Sequence, residues 1–135
     1  PFTLPTSEAG SYLANQIVEW VTGLTFPTAP TTCYAGWYTA VPAELSGSGY
    51  SRGAITWGSA EDVTTSMRVR NSAAVVSGTA TASWTAAPNF AVHDASSSGN
   101  ALSSVQAQSA SVTIGLGGFA RIATSGLAFS MSYSS

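Results

Sequence analysis

The side chains able to do chemistry are few and scattered. His93 is the single histidine and stands beside Asp94; Cys33 is the single cysteine; Glu61 and Asp62 are adjacent acids. The cations are Arg52, Arg68, Arg70 and Arg121, with no lysine. Serine is abundant, so a Ser-His-Asp hydrolytic site is conceivable. Residues 93 and 94 on one strand would nevertheless point to opposite faces. The segment GSGYSRG (47–53) also lacks the strand-to-helix setting of a nucleophile elbow. The plainer reading makes His93 the polar end of a strand and Asp94 the start of a turn through 95–100.

The remaining candidates reduce in the same way. Cys33 lies in the apolar string TCYAGWY; alone it forms no internal disulfide and reads as a small buried hydrophobe. Glu61 and Asp62 are expected in a loop, with too few oxygens about them for calcium. GLGG (115–118) carries no lysine and opens no evident helix, so it is not a phosphate cradle. No catalytic, cofactor-binding or metal-ligating residue is assigned, and the chain is read as not an enzyme.

Composition excludes further classes. Charged residues make up 7% of the chain, against about 25% in an ordinary soluble domain. A net charge of −2 offers no cluster of cations for counterion release, so nucleic acid is not an expected partner. No run approaches the roughly 20 apolar residues of a membrane span. No basic leader precedes an apolar run, so no signal peptide is read and synthesis in a cytoplasm is expected. So few charges protect a lone monomer poorly against association. The simplest physical reading is a surface largely covered by neighbours.

The elements that must position these groups follow from periodicity. Residues 1–6 read as an extended arm. Thr6 or Ser7 is the expected cap of a helix over 7–22, with Glu8 in its first turn. Leu13, Ile17, Trp20, Val21 and Leu24 form its apolar stripe, expected to pack on the domain's own sheet. Gly23 is the natural stop, with Leu24 folding back on the last turn. From 33 to 135 a β domain is expected, in one domain spanning 1–135. The candidate strands are 33–39, 53–58, 67–70, 73–77, 80–84, 89–93, 101–107, 111–114 and 127–133, spaced as in a β-sandwich or small barrel. In the last strand Leu127, Phe129, Met131 and Tyr133 share one face. SSSG (96–99) reads as a hairpin tip and SGSG (46–49) as part of an exposed loop. Trp20, Trp37, Trp57 and Trp84 read first as core or subunit interface. A second reading makes Trp37, Trp57 or Tyr50 a sugar platform.

Longer strings add a resemblance. SYLANQIVEWVTG (11–23), PTAPTTCYAGWYTAVP (27–42), GSGYSRGAITWG (47–58), NSAAVV (71–76) and NFAVHDASSSGNAL (89–102) occur in that order. Together they resemble short phage proteins labelled tail-fibre-like, with a YLAN helix, a G-x-G-Y-x-R loop and a D-A-x-x-x-G-N-x-L hairpin. The resemblance covers most of the chain. It implies a compact β domain with an N-terminal helix, built into a virion after synthesis in the host cytoplasm, and it transfers no catalytic residue.

The function expected is therefore a bacteriophage virion structural protein, first of all a capsid decoration or cement protein. The alternative is a tail or tail-fibre component, with lectin-like receptor binding as a further option. Expected partners are copies of the chain itself, a trimer among the arrangements left open, and other virion proteins such as the major capsid protein. Candidate assembly contacts are Phe2, Leu4, Tyr50, Arg52, Phe129 and Tyr133.

Overall fold

The structure, a computed structural model, describes residues 10–24, 28–39 and 43–132, with the backbone alone for 109–112. Phe2, Leu4 and Tyr133, the arm 1–6 and the expected cap at Thr6 or Ser7 lie outside the described residues.

The first element is α1 (Ser11–Val21). Gly10 occupies the cap position with extended backbone (φ −66°, ψ 156°) and no side-chain cap bond, so the helix expected over 7–22 begins only at Ser11. The C-terminus ends as the sequence reading expects. Gly23 takes φ 74°, and its N–H bonds Trp20 O at 3.1 Å while Leu24 N–H bonds Glu19 O at 2.9 Å. This paired closure satisfies carbonyls that the helix would leave open, and a left-handed residue makes it.

Nine strands follow among the described residues. The main sheet has the order β2-β1-β6-β7, formed by β1 (Cys33–Tyr38), β2 (Gly53–Ile55), β6 (Ala87–His93) and β7 (Gln106–Val112). A second sheet, β3-β4-β9, comprises β3 (Trp57–Val63), β4 (Ser66–Asn71) and β9 (Ala128–Ser132). The short pair β5 (Val75–Val76) and β8 (Arg121–Ile122) completes the set. All pairings are antiparallel. The chain is thus mainly β with one helix, and among the described residues the sheets do not close into a barrel, leaving the sandwich-like alternative.

Alternation explains the packing. On β1, Ala35 and Trp37 turn to one side and are 0% exposed. They join Val92, Ile55, Val75, Trp84, Leu102, Ile114 and Leu127 in the core cluster. Gly36 and Tyr38 turn to the other side, with His93 from β6. In the last strand Leu127 is buried and Phe129 and Met131 half-buried, while 128, 130 and 132 are exposed, the alternation expected.

Several expectations are corrected. Glu61 and Asp62 lie on β3, paired with Arg68 and Met67, because the strand begun at Trp57 continues past a register shift between Trp57 and Ala60. Residues 80–84 are irregular; the backbone of Ala80 and Trp84 instead bonds to the loop ends Gly118 O and Ile114 O. The strand expected at 101–107 begins at Gln106, since Leu102 and Ser103 both donate to Val92 O off the ladder. Val75–Val76 is all that forms of 73–77.

The helix is the largest departure. No residue of α1 is buried. Leu13 leans on the core, but Trp20, Val21 and Leu24 are 52%, 61% and 77% exposed. The stripe expected to pack on the sheet is mostly open, and Leu24 does not fold back under cover.

Candidate functional site

Two constellations stand out: a polar hub on the outer face of the main sheet and a cleft beside α1. The hub begins with a gap in β1. Gly36 lies between Tyr34 and Tyr38 on that face, and a Cβ there would stand 2.8 Å from Glu44 Oε1 and 3.1 Å from His93 Nε2. Only a residue without a side chain leaves room for both groups. Glu44 is carried to this place by a bridge to Tyr38, backed by Leu45 N–H donating to Trp37 O at 2.8 Å.

Arg52 meets Glu44 in a two-pronged pair, Nε to Oε1 and Nη2 to Oε2, each 2.8 Å. The Arg52 side chain is 7% exposed and that of Glu44 27%. The third arginine nitrogen, Nη1, donates to the carbonyls of Ala95 and Ser98, both at 2.8 Å. The guanidinium thereby fastens the 94–100 turn to the sheet. That turn is closed from within by Asp94, whose carboxylate accepts Asn100 N–H at 2.7 Å and Asn100 Nδ2 at 2.9 Å. Ser98 and Gly99 take positive φ at its tip, as expected for SSSG.

Tyr50 closes the other side. Its hydroxyl donates to Glu44 Oε1 at 2.9 Å and accepts the N–H of Trp37 at 3.0 Å. It replaces the ladder partner that β2, paired only along residues 33–35, does not supply. Its ring meets Trp84 edge-on at 5.7 Å, and Trp84 Nε1 donates to Ser48 O at 2.8 Å. Tyr38 and His93 stack with parallel rings, the hydroxyl 2.9 Å from Nε2.

The electrostatics follow. Burial alone would raise the Glu44 carboxyl, but the hydrogen bonds and charge of Arg52 and the Tyr50 hydroxyl outweigh it and hold the pKa below the ordinary value. Burial, then the Arg52 charge, lowers His93, so the imidazole is held neutral. Burial, followed by the Glu44 charge, raises Tyr38, and burial raises Tyr50 well above the usual phenol range. The hub therefore holds one fixed ion pair among neutral rings. His93 is 4% exposed and its Nδ1 is buried without a partner. Chemically the arrangement clamps a loop, a turn and a strand together; His93 has no solvent-facing side from which to meet a substrate.

The sequence-expected residues divide accordingly. Tyr50 and Arg52 come together in the hub, with their polar atoms spent internally rather than on an exposed loop. Trp37 is 0% exposed, which removes it from any sugar platform, and Trp57 is half-buried edge-on against Phe129 at 6.3 Å. Phe129 sits on β9 opposite Val69. Glu44, Tyr38 and Gly36 were not singled out by sequence reasoning. The available signal was a lone acid in an apolar stretch eight residues before a lone arginine. Among the described residues no group of three His, Cys, Asp or Glu side chains could hold a metal ion. No described helix is long and apolar enough to cross a membrane.

The second constellation is a half-open cleft of about 410 Å³ between α1 and residues 28–31. Tyr12, Gln16 and Trp20 line its helical side, and Asp94 and Leu102 add to its wall. Gly10 N–H, donating to Leu102 O at 3.0 Å, ties the start of the helix to that wall.

Compared with known families, residues 8–130 match the model described as Podophage GP4 fiber I protein gp80. No curated protein matches the chain.

Proposed function

The chain belongs to the family of the Podophage GP4 fiber I protein gp80, and on that premise we propose that it is a fibre component of a phage particle that works by burying surface against its neighbours, without catalysis. Family membership supports a virion structural protein and favours the fibre over the capsid-decoration alternative. The observation that carries the mechanism is the open face of α1. Ala14, Val18 and Val21 recur at i, i+4 and i+7, which places them on one flank. Val18 and Val21 are 56% and 61% exposed. A helix flank of this kind fits a groove or another helix on a partner. With so few charges, little desolvation opposes its burial. Copies of the chain itself and other virion proteins are the partners proposed.

The test is direct. Particles are assembled with wild-type chain and with Val18→Ser/Val21→Ser, and the protein is located by labelled electron microscopy. Density at the tail fibres, with incorporation of the double variant reduced at least tenfold, is expected. Density on the capsid shell would move the protein to the decoration role. Full incorporation of the double variant would show that α1 is not the contact.

A further inference from the structure

We propose that the open edge of β9 is a docking site for an extended segment of a neighbouring protein, one whose residues alternate between acidic and apolar. The neighbour's place in the same particle rests on the assembly reading, but the surface is separate from α1. Among the described residues β9 is bonded on one side only, to β4. Asn71 N–H bonds Leu127 O at 3.1 Å, which sets the phase of that antiparallel ladder. Residues 129 and 131 then bond to β4, and the N–H and C=O groups of Ala128, Ser130 and Ser132 face outward. Such an edge is usually guarded by charge, proline or a bulge. The opposite edge, β3, has Glu61, Asp62 and a register shift between Trp57 and Ala60. By contrast, β9 keeps an unbroken register and holds no charged residue or proline.

The two faces beside this edge select the partner's sequence. Arg68 and Arg70 share one face of β4, opposite Ser130 and Ala128. Arg68 donates from Nη2 to Glu61 Oε2 at 2.8 Å, whereas Arg70 makes no ion pair among the described residues. Glu61 feels the charge of both arginines. Two guanidinium groups thus share one carboxylate, and the face keeps an excess of positive charge. Both Nε atoms are buried without partners, so the stems are packed down and the charge is offered at the tips. On β9 this face holds only small side chains, Ala128, Ser130 and Ser132. A guanidinium tip can pass over them toward a strand added about 4.8 Å beyond β9. A carboxylate there pairs with Arg70 through charge-assisted bonds. On the reverse face Met67 is 44% exposed, and Phe129 and Met131 are half-buried; apolar residues of the added strand cover them. In strand addition, main-chain bonds give affinity and alternate side chains give specificity. A cationic segment would meet Arg70 with like charge and be refused.

The probe is a short synthetic peptide of alternating Glu and Val, and its binding to the full chain is followed by fluorescence anisotropy. Binding is expected. A peptide of alternating Lys and Val, and one with the same Glu and Val residues in two blocks, are each expected to bind about tenfold more weakly or worse. Arg70→Glu is expected to reverse the preference, toward the Lys/Val peptide. Ser130→Pro removes one outward N–H at an edge position where proline is tolerated, so the fold is kept while binding falls about tenfold. No binding of the Glu/Val peptide, equal binding of the block peptide, an unchanged preference in Arg70→Glu or undiminished binding by Ser130→Pro overturns the proposal. Should either variant fail to fold, amide exchange in the wild-type chain decides. Saturating Glu/Val peptide then slows exchange at Ala128 and Ser130; unaltered exchange at both sinks the idea. Binding is read without particles, so failure of the α1 contact leaves this result standing, and failure here leaves the α1 contact standing.

Discussion

The hub around Glu44 and the helix α1 invert the usual arrangement of a small domain. In the hub a carboxylate and a guanidinium, in a chain where charge is scarce, are turned inward and bonded on nearly every polar atom. On α1, valines, a tryptophan and the following leucine are turned out to solvent. Charge holds the loops of this protein in place, while apolar side chains of the helix face solvent. Buried ion pairs are weak evidence for net stability, because their desolvation offsets their attraction. Their use here is geometric: one arginine fixes Glu44 and the 94–100 turn in a single orientation. An apolar face left in water contributes little to the isolated fold, and burial against a neighbour is the role proposed for it.

Breaking one side of the comparison is expected to have the largest effect. Arg52→Ala strands the Glu44 carboxylate and frees the carbonyls of Ala95 and Ser98. A loss of about 3 kcal/mol is expected, toward the low end for a broken buried pair because Glu44 keeps some solvent. Urea denaturation reads it, and a loss under 1 kcal/mol would class the pair with surface ion pairs. Asn71→Ala comes next. Asn71 is 0% exposed, donates to Ala73 O and Ala123 O and accepts from Leu127 N–H, each at 2.8 Å. Ala73 O and Leu127 N–H would lose this partner and Ala123 O would keep the Gly126 N–H alone, for about 2 kcal/mol, with the β4–β9 pairing loosened first in amide exchange.

Acid sharpens the contrast. His93 has a folded pKa below its ordinary 6.5, so the unfolded chain takes up the proton first and stability falls as pH drops below that value. Glu44 has a folded pKa below its ordinary 4.5; its contribution is present above that value and is lost as pH falls through the depressed one. Melting temperature is therefore expected to decline in two stages on acidification from pH 7, and His93→Gln should remove the first. A melting temperature flat from pH 7 to pH 5 in the wild type would contradict this burial of the imidazole. The smallest effect is expected on the other side of the comparison. Val18→Ser/Val21→Ser should stay within about 0.5 kcal/mol of wild type per site in the isolated chain, as surface changes do, while its incorporation into particles falls.

The sequence by itself determined the class of the protein. Seven per cent charge, one histidine and one cysteine settle what chemistry is available, whatever the fold. Local periodicity was enough for the body and end of α1, though not its start at Ser11, for Gly23 as its stop, for β1 and β6, for the tip at 96–99 and for the alternation along β9, because each depends on neighbours only a few residues away. The longer strings, read together, also pointed to the phage fibre family.

Tertiary structure alone decided the rest. Whether Trp20 is core or surface depends on what α1 meets, and an apolar stripe is the same string of letters with or without a sheet against it. Glu44, Arg52 and His93 are 8 and 41 residues apart along the chain, and nothing local announces that Gly36 leaves a space in which they gather. Glu61 and Asp62 read as loop until β4 supplies a partner strand. Short-range preference writes helix ends and strand faces into sequence, whereas long-range pairing chooses which polar groups are buried together and which apolar ones are left in water.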